Sequence, residues 1–406
     1  MTPAEIGAVS RLGGHAFAGL VSRIEQVHQA IAGRAFAPAG PASAPARVIH
    51  DSITSGVYLA LRGAGSAAGV LGGKAVSLLA VGGQPAGSEP AGNLALAALN
   101  AVAGEQLGPD LAPLAIRMAV RADGRDVDLP ARELPAVFGH PTPRLAVFVH
   151  GLAETEDSWQ RQGTGSEPYG PRLHAEFGYT PVYIRYNTGR HVSDNGNDLA
   201  GLLEGLIAAW PVQVEGLLLV GHSMGGLVIR SACHYGRQES AAWAGRVRHV
   251  FYLGSPHLGA PLAQAAGLAG WALSKAAETR PFVTLVNGSS PGIKDLRHGD
   301  VLADDWAGCD QDSCVRDHRH DTPLLAGANH YTISATVTVD PGHPLGAVVG
   351  DLLVQPASAH GRRGAHRHIP FPAGSRRRLG GMHHFDLLNH PAVWAAIRDL
   401  LSSTAY

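Results

Sequence analysis

Residues 217–232 read LLLVGHSMGGLVIRSA, and this stretch decides the fold. Leu217 to Val220 form a short apolar run bounded by glycine, the pattern of a strand buried on both faces. From Met224 to His234 the apolar residues fall at helical spacing. Between strand and helix stands Gly221-His222-Ser223-Met224-Gly225, a G-x-S-x-G pattern. In a strand–turn–helix setting that pattern is a nucleophile elbow, a tight turn that exposes a serine hydroxyl at the end of a buried strand. The glycines at 221 and 225 permit the turn and let helix and strand approach closely.

The chain holds 52 glycines, so the pattern by itself says little. A second copy occurs at Gly288-Ser289-Ser290-Pro291-Gly292. Context separates the two. The residue after the nucleophile must donate its backbone N–H to a developing oxyanion, and Met224 can do so. Pro291 has no N–H to give. Ser223 is therefore the candidate nucleophile and Met224 a candidate oxyanion donor.

Outward from the elbow, strands alternate with helices. LAVFV (145–149), PVYIRY (181–186), LLLVG (217–221), VRHVFYLG (247–254) and HYTISATV (330–337) read as strands. Helices are expected over 199–209 and 224–234, and a last one after Pro391 carries Val393, Ile397, Leu400 and Leu401 on one face. This alternation predicts an α/β fold, a mostly parallel sheet with helices on both faces. Upstream, Asp123-Gly124 between two short runs signals a β-hairpin. Residues 1–110 read as a helical N-terminal region with an apolar stripe from Ile6 to Ile24, a Pro/Ala/Ser linker over 36–46 and a second amphipathic stretch over 48–61. Residues 111–406 then form the α/β domain, and about 256–328 an insertion, including an Ala-rich helix over 262–277, that would cap its catalytic face.

A serine nucleophile needs a base and an acid. The base is expected to be histidine, whose ordinary pKa lies near neutrality and whose two nitrogens serve serine and acid at once. With 22 histidines, composition selects none. In this architecture the acid follows the nucleophile and the histidine comes last. His384, in Gly381-Met-His-His-Phe-Asp-Leu-Leu-Asn-His-Pro, is the candidate, with His383 its nearest rival. His390, before a proline, is expected to start the final helix. Asp351 in Gly350-Asp-Leu-Leu-Val is the candidate acid, where a buried carboxylate would fix the histidine tautomer. Asp340 in Val-Asp-Pro-Gly carries turn chemistry instead. The N–H of Leu152, after Val149-His150-Gly151, is the second expected oxyanion donor, and His222 reads as a positioning residue.

The blocks VHGLAET, YNTGRHVSDNG, VGHSMGGLV, LGSPHLGAPL, GDLLVQPASA and HHFDLLNHP together resemble bacterial α/β-hydrolases of the lipase and esterase type, related to triacylglycerol lipases and the GPI inositol-deacylase group. The likeness covers roughly residues 144–403. It implies the α/β-hydrolase fold and a triad of Ser223, Asp351 and His384. Some such lipases hold calcium near the histidine. Asp386 is placed like one ligand, but His390 stands where an amide side chain is expected, so no metal and no cofactor is expected here. The implied activity is hydrolysis of a carboxylic ester with an apolar acyl group. An acyltransferase or amidase with the same triad, or a non-catalytic binding protein on this fold, is the alternative.

Composition agrees. Lys plus Arg number 32 and Asp plus Glu 33, a formal charge of −1, which argues against nucleic acid as a partner. The expected partner is a small-molecule or lipid ester. Three cysteines in 406 residues exclude a disulfide scaffold. Cys309 and Cys314 with His318 and His320 do not match a standard zinc spacing, and Cys233 reads as buried packing. The arginines between 362 and 378 read as a solvated loop, with peripheral contact to anionic lipid the lesser reading. Residues 63–83 are the most membrane-like, but Lys74 and repeated glycines interrupt them. No signal-peptide pattern stands at the start, and a cytoplasmic location is the expectation.

Overall fold

The computed structural model describes residues 90–104, 114–129, 134–160, 167–260, 290–309, 311, 319–363 and 367–403. The stretches singled out at 6–61, 63–83 and 262–277, together with Cys314, His318 and His366, lie outside the described residues. The strands are β1 (Ala119–Ala122), β2 (Arg125–Val127), β3 (Arg144–Val149), β4 (Thr180–Arg185), β5 (Gly216–His222), β6 (Val247–Leu253), β7 (Asn329–Thr336), β8 (Arg362–Arg363), β9 (Arg367–His368) and β10 (Arg376–Gly380). Eight of them form one sheet in the order β10-β7-β6-β5-β3-β4-β1-β2, while β8 and β9 pair separately. Strands β3 to β7 and β10 run parallel. Within this sheet the β1–β2 hairpin is antiparallel to its neighbours, its turn residues Asp123 and Gly124 both at positive φ, as a two-residue hairpin turn requires.

The longer helices are α1 (Pro90–Ala103), α2 (Tyr169–Phe177), α3 (Val192–Ala209), α4 (Met224–Gln238), α5 (Pro291–His298) and α6 (Pro391–Ser402). The central strands are apolar at consecutive positions because both faces of the sheet are covered. Val147, Leu217, Leu219 and Val250 point to one face and pack with Leu199, Leu203 and Leu206 of α3 and Leu227 and Val228 of α4. Phe148, Leu218, Val220 and Phe251 point to the other, against Leu173 of α2 and Val393, Trp394 and Ile397 of α6. Each such fully buried aliphatic side chain contributes about 1.5–3 kcal/mol, so these two layers hold the sheet between them. Helix α1 joins the same body: Ala101 lies in the first layer, and Ser290 Oγ donates to its carbonyl at 2.6 Å. This is the mostly parallel sheet with helices on both faces that the sequence leads one to expect. The chain passes from β3 outward to β4 and then back across β3 to β5. That reversal opens a crevice beyond the carboxyl ends of β3 and β5, the place where open α/β sheets bind ligands.

Two local expectations need correction. Strand β10 lies in the arginine stretch expected to be a solvated loop. Its sequence RRRLG has no apolar alternation because it is an edge strand with one partner, and charge on an edge blocks further pairing. Arg377 pairs with Asp399 of α6 at 2.8 Å, and Leu379 packs against the second layer. Helix α3 begins seven residues before Leu199, through the polar VSDNGND. The signal for that start is remote: Asp295 of α5 accepts the Val192 N–H at 2.7 Å, satisfying an otherwise orphaned donor of the first turn. Helix α2, between β3 and β4, was not expected.

The loop after β3 is anchored by charge. Glu156 is buried with Arg121 of β1 and Arg185 of β4. Arg185 Nε donates to Glu156 Oε2 at 2.6 Å and its Nη2 to Oε1 at 2.5 Å, while Arg121 Nε donates to Oε1 at 3.0 Å. Burial alone would raise the Glu156 carboxyl, but the guanidiniums of Arg185 and Arg121 outweigh it and hold it below its ordinary range. Removing one partner of such a buried cluster leaves uncompensated charge, so Glu156→Ala is expected to lower stability by about 3–5 kcal/mol in urea denaturation. Its folded pKa being depressed, the wild-type contribution is complete above the unfolded glutamate range and is lost as pH falls through the folded value. The difference between the two proteins should shrink on acidification.

Candidate active site

Ser223 follows directly on β5 and precedes the first residue of α4. Its backbone sits at φ +52°, ψ −121°, a conformation that non-glycine residues rarely adopt and that surrounding structure must impose. Two glycines impose it. A Cβ at Gly225 would lie 2.2 Å from the Val149 carbonyl oxygen, and one at Gly221 would lie 2.5 Å from the Gly226 nitrogen. Only without those atoms can α4 start so close to β3 and β5. Ser223 N–H donates to the Leu253 carbonyl at 2.9 Å, tying the turn to β6.

Asp351 and His384 meet at the neighbouring strand ends. Both are buried, their side chains 1% and 2% exposed. Asp351 Oδ1 accepts the N–H groups of Leu353 at 3.0 Å and Val354 at 2.7 Å, which aims Oδ2 at His384 Nδ1, 2.8 Å away. The His384 N–H also donates to the Asp351 carbonyl at 2.9 Å. A nitrogen facing a carboxylate carries the proton, so Nδ1 is the donor and Nε2 the basic nitrogen. Nε2 is buried and has no hydrogen-bond partner among the described residues. The His384 ring lies beside that of His222, centroids 4.8 Å apart, hence beside the elbow. The structure thus joins Asp351 to His384 and sets the His384 ring beside that of His222, the residue before Ser223, with no hydrogen bond between Ser223 and His384 among the described residues.

The rivals have other places. Ser290 starts α5 and bonds Ala101. His390 Nδ1 accepts the Ala392 N–H at 3.1 Å, as a cap of α6. Asp340 is exposed and accepts the Gly342 N–H at 2.8 Å within its turn. His383 pairs with Asp386, whose Oδ2 also accepts the His383 N–H at 2.7 Å. Cys233 is buried, which pushes its thiol up to about 12. Among the described residues no group of three or more His, Cys, Asp or Glu side chains is placed to hold a metal ion.

The expected oxyanion donors sit at this crevice. Met224 is the first residue of α4, so its N–H has no acceptor within the helix. In the loop after β3, Gly151 N–H donates to Glu154 Oε2 at 2.8 Å and Ala153 N–H to Thr188 Oγ1 at 3.2 Å. Among the described residues no bond engages the N–H of Leu152, between them. Gly151 faces the elbow, since a Cβ built there would lie 3.1 Å from Ser223 Cβ. His150 is kept neutral by burial, its pKa lowered despite nearby carboxylates.

The residue that sequence reasoning passed over is Glu154. Its Oε2 also lies 3.1 Å from His222 Nδ1, and His222 Nε2 lies 3.3 Å from the His384 carbonyl. A signal was present: a glutamate three residues after Gly151 can reach back to that N–H, as the glutamate of a capping box does.

Residues 195–330 match a family described as PGAP1-like alpha/beta domain, a third of the chain. The matched region contains β5, the elbow, β6 and the start of β7. The strand order and the strained serine after β5 complete the assignment. The chain is an α/β-hydrolase in fold. No curated protein matches it. Among solved structures, this chain is similar to the mature Bacillus licheniformis lipase BlEst2, with 22% identity, 64% of this chain and 94% of that one covered, and a TM-score of 0.44. It is also similar to Aspergillus fumigatus lipase B, at 14% identity over 64% and 52% with a TM-score of 0.39. A third is the RedJ thioesterase of the prodiginine pathway of Streptomyces coelicolor, at 20% identity over 69% and 97% with a TM-score of 0.37.

The elbow geometry yields a stability test. Gly225→Ala forces its methyl against the Val149 carbonyl and is expected to cost at least ~1–3 kcal/mol, the usual penalty of overpacking. Gly201→Ala, on α3 with open space around its Cβ position, should instead be neutral or slightly stabilising. Paired thermal melts of the two variants check this.

Proposed function

We propose that this α/β-hydrolase is a serine-dependent carboxylic ester hydrolase. The fold, shared with lipases, esterases and thioesterases, suggests ester hydrolysis. What supports the finer reading is one observation: a buried imidazole, fixed by a carboxylate through Nδ1, keeps Nε2 without a partner among the described residues, and its ring packs on His222, the residue before a serine on a strained turn.

In the proposed reaction His384 Nε2 takes the proton of Ser223 Oγ as the oxygen attacks the ester carbonyl carbon. The carbonyl π pair moves to oxygen, where the N–H groups of Leu152 and Met224 hold the charge. Asp351 orients His384 and stabilises its imidazolium. The tetrahedral intermediate collapses, the ester C–O bond breaks, and His384 protonates the departing alcohol. Water then gives a proton to His384 and attacks the acyl-enzyme, the carboxylic acid leaves, and Ser223 recovers its proton. The proposed partner is a small-molecule or lipid ester. Preference for an apolar acyl chain is part of the proposal and rests on the Ala-rich 262–277 stretch, outside the described residues.

The test is hydrolysis of p-nitrophenyl esters of graded acyl length, with Ser223→Ala as control. Loss of a triad member is expected to lower kcat by about 10⁴-fold or more, with labelling of Ser223 by a fluorophosphonate probe abolished. Full activity of Ser223→Ala would overturn the proposal. Adding an alcohol acceptor separates hydrolysis from acyl transfer by product.

A further inference from the structure

Glu154 and His222 are both buried, and the proposed reaction uses neither. They stand on different segments, Glu154 on the loop after β3 and His222 at the end of β5. Their contacts reach a third segment. Oε2 of Glu154 accepts the Gly151 N–H at 2.8 Å and faces His222 Nδ1 at 3.1 Å. His222 Nε2 faces the backbone carbonyl of His384 at 3.3 Å. We infer that Glu154 and His222 are positioning residues, a buried carboxylate–imidazole clamp that sets the oxyanion loop and the catalytic histidine against Ser223. This rests on the assignment of Ser223, Asp351 and His384 given above.

Proton counting shows why the clamp needs a carboxylate. A carbonyl oxygen only accepts, so His222 Nε2 carries a hydrogen. A second proton lies between Nδ1 and Oε2, because Oε2 already accepts from Gly151 and can meet Nδ1 only across a shared hydrogen. A carboxamide at 154 cannot reproduce this. If its oxygen accepts from both Gly151 and Nδ1–H, a neutral ring has no hydrogen left for the His384 carbonyl. If its NH2 donates to Nδ1, the Gly151 N–H loses its acceptor. Either way one side of the clamp opens.

His384 is faced by Asp351 on Nδ1, by the His222 ring at 4.8 Å and by the Phe385 ring. His222 is faced by Glu154, by His384 and by the rings of Trp159 and Phe385. His150 behind Gly151 is neutral through burial, and the His383–Asp386 pair lies on the more exposed side of the turn. The Glu154 carboxylate therefore reaches His384 only through the His222 ring between them.

The experiment compares Glu154→Gln, His222→Gln and His222→Leu with wild type and Ser223→Ala, using one p-nitrophenyl ester and thermal melts to establish folding. Glu154→Gln is expected to lower kcat on the order of 10- to 100-fold with a smaller change in KM, the scale of a misplaced reacting group. His222→Gln, which keeps an N–H donor for the His384 carbonyl, should retain more activity than His222→Leu. A folded Glu154→Gln with wild-type kcat would overturn the clamp, as would a loss of kcat in Glu154→Gln accompanied by equal activities of His222→Gln and His222→Leu, the signature of a scaffold alone. If Glu154→Gln does not fold, equal activities of His222→Gln and His222→Leu overturn it. Activity in Ser223→Ala would sink the triad assignment instead, so the two failures are distinct.

Discussion

The first turn of helix α4 lies against the backbone of β3 with no side chain between them. This contact, made at Gly225 and the Val149 carbonyl, sets the positions of everything around the serine. It drives Ser223 into positive φ, because the chain must turn from strand to helix within one residue. It brings Met224 N–H and the Gly151 loop to the same side of the sheet. The strain at Ser223 is held by packing around the turn: α4 is buried at every position from Met224 to Cys233, and β5 is buried throughout its length. A strained turn of this kind survives only where the surroundings over-determine it.

Around this rigid corner the protein places buried charge in two different ways. Glu156 is compensated by two guanidiniums and serves to hold the loop after β3 to β1 and β4. Asp351 has no guanidinium. Two backbone N–H groups saturate one of its oxygens, and the other is left to His384. The difference suits their tasks. A carboxylate neutralised by arginine would not orient an imidazole, whereas one held by neutral donors keeps its charge available to the ring. Glu154 lies between these cases, tied to a backbone N–H on one side and an imidazole on the other.

Much of this was legible in the linear chain. The apolar runs of β3, β5 and β6 announced themselves because strands covered on both faces carry no polar positions. Pro291 eliminated the second serine motif by covalent chemistry alone. Asp340 and His390 read correctly as turn and cap residues, because those roles involve only near neighbours. What stayed hidden had remote causes. The early start of α3 depends on Asp295, 103 residues away. Strand β10 is charged and forms because β7 offers it an unpaired edge. Glu154 was passed over since its partner His222 is 68 residues distant.

The amino-acid sequence by itself determined the α/β class, the elbow and the chemical types at positions 223, 351 and 384, since strand burial, glycine placement and side-chain chemistry are written locally. Only the tertiary structure decided which histidine nitrogen is free, which carboxylate oxygen faces it, and that Glu154 and His222 stand behind them. Those outcomes depend on distances between segments far apart in the chain. Such distances are fixed by the packing of α4 and the strand ends, and no local pattern encodes them.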